Sequence, residues 1–102
     1  MIDYEKFKEL YAAISGEPEF EFHFSNTKDT YWLIKYSDYV TFQKSYSNET
    51  KYKNLDELYN ATLDDNINLK RDWGNITDIV IESLYSVVND KEDIEFAYKV
   101  KL

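Results

Sequence analysis

A chain of 102 residues with 43% apolar and 18% aromatic side chains is long enough for one domain with its own core, and too aromatic to remain unfolded in water. Zero Cys, one His, two Gly and one Pro exclude disulfides, thiolate metal sites, cysteine nucleophiles and glycine-rich phosphate loops. The net charge of −8 opposes direct binding to nucleic acid phosphates and favours steering toward a basic partner.

Residues 3–15 predict an amphipathic helix. Tyr4, Phe7, Tyr11 and Ile14 recur at the spacing of one helical face, Asp3 is placed to cap the N-terminus, and Gly16 and Pro18 stop the chain. Residues 19–24 alternate, with Phe20, Phe22 and Phe24 on one side and Glu19, Glu21 and His23 on the other, the pattern of a half-buried strand. His23 on that polar side reads as a solvated histidine. A polar turn leads to a second strand over 30–37. It places Trp32, Ile34 and Tyr36 opposite Tyr31, Leu33 and Lys35. A third strand spans 39–46, with Val40 and Phe42 inward. Short turns between these strands imply an antiparallel meander.

Asn54 caps a short helix that carries Leu55, Leu58 and Tyr59, with Glu57 at the third position of a capping box. Leu69 to Trp73 predicts one helical turn closed by Gly74. Residues 76–88 fit helical spacing, but seven of the thirteen are β-branched, which favours a strand. Asn89 to Glu92 is then a hairpin loop, and Ile94 to Val100 the last strand. The expectation is a single α+β domain over 1–102: an antiparallel sheet of four to five strands in the order αβββα, a helical turn, ββ, with the N-terminal helix packed on one face.

Candidate chemistry is sparse. Asp64, Asn66 and Asn68 have the spacing of the first ligands of a calcium loop, but Leu69 stands where the sharp turn needs Gly and Asn75 where a bidentate Glu belongs. No catalytic constellation, metal site or cofactor motif is expected. The aromatic set divides between a core of Phe20, Phe22, Phe24, Trp32 and Phe42 and a surplus of Tyr31, Tyr36, Tyr39, Tyr46, Tyr52 and Tyr59, too many for one small core. Tyr is favoured in protein interfaces as rigid area with a polar tip. The charge is uneven: residues 54–95 alone carry net −8. Asp56, Glu57, Asp64, Asp65, Asp72, Asp78 and Glu82, with Tyr59, are the candidate partner-binding residues. As a carboxylate array they would imitate a phosphate backbone toward a basic, nucleic-acid-binding protein surface. The N-terminus lacks an apolar leader and no run is long enough to span a membrane, so the expected compartment is the cytoplasm.

The stretch Leu55 to Ala61, followed by Asp65, Ile67, Leu69, Lys70 and Trp73, resembles small acidic proteins of low-GC Gram-positive bacteria and their prophages, with Asn66 where Gly is usual. Eleven Lys to one Arg fits such an AT-rich source. Size, acidity and Tyr content are similar to phage anti-defence proteins, among them anti-CRISPR proteins and DNA mimics. That resemblance implies an inhibitor that binds a basic host protein such as a CRISPR effector. A toxin-immunity protein has the same profile, and a structural or oligomeric module without inhibitory role is the alternative from another class.

Overall fold

The computed structural model describes residues 2–62 and 67–82 in full and the backbone of 86–89 and 94–96. Helix α1 (Tyr4–Ala13) is followed by strands β1 (Glu19–Phe24), β2 (Thr30–Lys35), β3 (Val40–Lys44) and β4 (Thr50–Tyr52). Two short helices, α2 (Leu55–Asn60) and α3 (Leu69–Asp72), and a 3-10 turn at Trp73–Asn75 then lead to β5 (Ile76–Ile81), β6 (Ser86–Asn89) and β7 (Ile94–Phe96). All described strands join one antiparallel sheet in the order β4-β3-β2-β1-β5-β6-β7.

The α+β class, the antiparallel sheet and the packing of the N-terminal helix on one face are as expected. The sheet is wider than the residue pattern suggests, for two reasons. Thr50–Tyr52 adds an edge strand that is too short and polar to announce itself. Two antiparallel strands, β5 and β6, replace the single strand expected over 76–88, with Ile81 paired to Ser86. Residues 90–92 of the expected hairpin loop and 97–100 of the expected last strand lie outside the described residues.

Local chemistry fixes the helix ends. The Asp3 carboxylate accepts the Lys6 N–H at 2.8 Å, and the Asn54 side chain accepts the Glu57 N–H at 2.8 Å. Each satisfies a donor that the first helical turn leaves unpaired. At the other end of α1, Lys35 reaches from β2 and donates to the carbonyls of Tyr11 and Ile14, both at 2.7 Å. Its charge lies at the negative end of the helix dipole, which it favours. This cation takes the place of the basic last turn that α1 lacks.

The core occupies one side of the sheet. Phe20, Phe22 and Phe24 of β1, Tyr31 and Leu33 of β2, Val40 and Phe42 of β3, and Ile79 and Ile81 of β5 are buried together against Phe7 of α1, Leu55 and Leu58 of α2, Leu69 of α3 and Trp73. Phe7 meets Phe20 and Phe22 edge-on at 5.4 and 5.6 Å, a favoured aromatic geometry. The Trp73 indole N–H donates to the Ile2 carbonyl at 3.0 Å, which ties the start of the chain to a residue 71 positions on.

Trp32 does not take the core position expected of it. Register decides this: Phe22 pairs with Tyr31 and Phe20 with Leu33, so Tyr31 and Leu33 share the phenylalanine side. Trp32, paired with Glu21, faces the other way.

Candidate protein-binding face

All helices contributing to the core lie on the phenylalanine side, and among the described residues no helix covers the opposite side. That open face is read off the register. Glu19 pairs with Ile34, Glu21 with Trp32 and with Val80, and His23 with Thr30 and with Asp78. Ile34 pairs in turn with Thr41, Trp32 with Gln43, and Thr41 with Lys51. Paired residues of an antiparallel ladder project to the same side. Val80 is buried but stands apart from the core cluster, because it belongs to this second face.

The aromatic part of the face is centred on β2 and β3. Trp32 and Ile34 are partly exposed. Beyond them, Tyr36 and Tyr39 stack at 4.6 Å with their rings 22° from parallel, and the Lys51 ammonium lies 4.1 Å from the Tyr39 ring centre. The Tyr36 N–H donates to the Tyr39 carbonyl at 2.9 Å, which closes the turn that carries the pair. Partial desolvation holds the Tyr36 phenol above its ordinary value, and the negative charges of Glu49, Glu17 and Glu19 add to the shift. An aromatic ledge with carboxylates around it is therefore a local property of the fold.

Next to this ledge, His23 sits between two carboxylates. Its Nδ1 is 2.7 Å from Asp78 and its Nε2 is 2.6 Å from Glu21. The solvated histidine expected from alternation is instead partly buried, because β5 pairing sets Asp78 directly opposite it. The two nitrogens point in opposite directions, so the three groups do not converge on one ion. No grouping suited to a metal occurs among the described residues.

The carboxylates expected to form one array are dispersed. Asp56 and Glu57 are exposed on α2. Asp56 accepts the Tyr4 hydroxyl at 2.6 Å and lies 3.1 Å from the Lys8 ammonium. The Tyr4 hydrogen bond, with Lys8 second, holds its pKa below the usual carboxylate value. Burial, then the Asp56 hydrogen bond, pushes the Tyr4 phenol well above its ordinary range. Tyr59 is partly buried and stacks on Tyr4 at 3.5 Å. Asp72 is buried; it pairs with Arg71 at 2.7 Å and accepts the Asn68 N–H at 2.9 Å, which lowers its pKa. Asp78 is buried on the open face, and Glu82 follows β5 with its N–H donated to the Glu19 carbonyl. Asp64 and Asp65 lie outside the described residues, as does Asn66 of the calcium-like spacing.

Thus Asp56, Glu57 and Tyr59 come together on the helical side, and Asp78 lies across the sheet from them. Asp72 serves its own short helix. The residues passed over are Ile34 and Trp32, the latter assigned to the core; Tyr36 and Tyr39 stood among the surplus tyrosines suited to an interface. One signal for them was present: both sides of the 30–37 strand are apolar, while only one side of the sheet has helices to cover it. The sequence matches no family model, and neither a curated protein nor a solved structure is significantly similar to the chain.

Proposed function

We propose that this protein is a stoichiometric protein-binding domain, and that it acts as an inhibitor by docking the open face of its sheet on a basic surface of a partner. The observation that carries this reading is the uncovered ledge of Trp32, Ile34, Tyr36 and Tyr39 with Glu17, Glu19 and Glu49 beside it. Aromatic side chains supply rigid contact area, and surrounding carboxylates select Lys and Arg on the opposing surface. The overall charge of −8 extends the same selection over a longer range. A nucleic-acid-handling protein presents such a surface, because phosphate binding requires it. This suits an anti-defence role of the kind the composition suggests.

The test is affinity capture from a low-GC bacterial lysate at low salt, followed by purification of the captured protein and calorimetry. The expected partner is basic, its affinity falls as salt rises, and the Trp32→Ala, Tyr36→Ala double variant weakens it. A partner whose binding ignores that double variant contradicts the reading.

A further inference from the structure

Strand β1 is the seam of the sheet: β2, β3 and β4 lie on one side of it, and β5, β6 and β7 on the other. Against β5 its ladder is regular from Phe20 to His23 and then shifts, so that Phe24 pairs with Ile76 and Thr77 is passed over. Such a shift interrupts the ladder and weakens the pairing locally. His23 stands at that irregularity, and its ring spans the seam. Nδ1 reaches Asp78 of β5 at 2.7 Å, and Nε2 reaches Glu21 of its own strand at 2.6 Å. All three side chains are largely covered. The backbone is tied beside them. The Thr77 hydroxyl donates to the His23 carbonyl at 3.2 Å, and the Ser25 N–H donates to the Asn75 carbonyl at 2.7 Å.

A neutral imidazole has one N–H and one bare nitrogen, the imidazolium has two N–H donors, and an ionised carboxylate only accepts. With both carboxyls ionised, the two short contacts are hydrogen bonds at the same time only when the ring carries two protons. We propose that Glu21, His23 and Asp78 form a pH-sensitive clasp across the seam between β1 and β5, closed while the imidazole carries both protons and opened when one leaves. In the closed state each N–H donates to one carboxylate, and such charge-assisted bonds gain strength where water is partly excluded. When one proton leaves for solvent, a ring nitrogen turns its lone pair to a carboxylate oxygen and that contact becomes repulsive. The groups that the ladders set opposite the clasp are Thr30 and Trp32 of β2, Val80 of β5 and Asn89 of β6, none of them titratable. Glu19 lies farther along β1 on the same side, so each charged group that β1, β2 and β5 place beside the ring there is acidic. The clasp needs no partner, and its test stands apart from the binding of one.

Thermal unfolding of the parent and of His23→Gln at about pH 6 and about pH 8.5 tests this. The closed clasp stabilises the fold while both protons are bound, so its contribution is present at the lower pH and lost as pH rises. The parent midpoint is expected to fall by about 5 °C between the two, and that of His23→Gln by less than half as much. A parent midpoint that stays level or rises overturns the proposal. An equal fall in His23→Gln also overturns it, since the dependence would then belong to other groups. A second measurement needs no variant. His23 is the single histidine of the chain, so its ring nitrogen signals in NMR are unambiguous. At the lower pH both ring nitrogens are expected to carry protons. As pH rises, one is lost in step with shifts of the Asp78 and Val80 amides of β5. A single ring N–H at the lower pH, or a ring that titrates while those amides stay still, overturns the clasp.

Discussion

The helix-covered face and the open face are built from alternate residues of the same strands, yet they spend their aromatic groups differently. On the covered face Phe20 and Phe22 are completely buried, and Phe22 is ringed by Phe7, Phe24, Phe42 and Trp73. On the open face Trp32 has no stacking partner among the described residues, and Tyr36 and Tyr39 stack only on each other. Polar groups divide in the same way. The covered face holds Lys35, which is committed to two helix carbonyls, and Lys44, which pairs with Tyr31 and lies 3.9 Å from Asp29. The open face holds Glu19, Glu21, His23, Lys51 and Asp78 within one ladder. One face makes the fold, and the other carries apolar area and charge that no described helix covers.

Truncation separates the two faces most sharply. Phe22→Ala is expected to destabilise by about 3–5 kcal/mol, through lost burial and the cavity left behind. Trp32→Ala, on the same sheet, is expected to change stability by about 1 kcal/mol or less. Denaturant unfolding of both variants checks the contrast, and equal losses would break it.

A smaller effect concerns the cation beneath the helices. Lys35→Met keeps the aliphatic stem but removes two charge-assisted bonds to the end of α1, with an expected loss of about 1–2 kcal/mol. Hydrogen exchange should report it first at the last turn of α1. Asn54→Ala, which removes the cap of α2, is expected to lose about 1 kcal/mol by thermal unfolding.

The smallest effects appear in pH dependence, and their signs are opposite. Asp72 and Asp56 have lowered pKa values in the folded state. Their stabilisation is complete above the ordinary Asp value of about 3.9 and is lost as pH falls through the lower folded values. Tyr4 is raised in the folded state, so its contribution is complete below about 10 and is lost as pH rises beyond that. Unfolding midpoints across pH should show both limbs. Asp72→Asn should flatten the acid limb and Tyr4→Phe the alkaline one.

Much of the covered face was legible in the residues. Period-two alternation in 19–24 and Val40 with Phe42 named the inward side of two strands. Asp3 and Asn54 announced two helix starts through side-chain chemistry that acts over three residues. The second strand was harder, because Tyr31 and Leu33 are as apolar as Trp32 and Ile34. Only pairing with β1 decides which pair is covered. The fates of the acidic residues were not legible for the same reason. Asp78 meets His23 from 55 positions away, and Asp56 meets Tyr4 from 52. A charge count along the chain made 54–95 one acidic region, and folding divides it between two faces and an inward-turned helix.

The most direct measurement is the affinity of the captured partner for the parent protein, for the Trp32→Ala, Tyr36→Ala variant and for Glu57→Gln on the helical side, each shown to be folded by its unfolding midpoint. The account predicts that the open-face variant loses at least about thirtyfold in affinity while Glu57→Gln binds as the parent does. Retained binding by the open-face variant together with loss in Glu57→Gln would contradict it, and would return the interface to the helices.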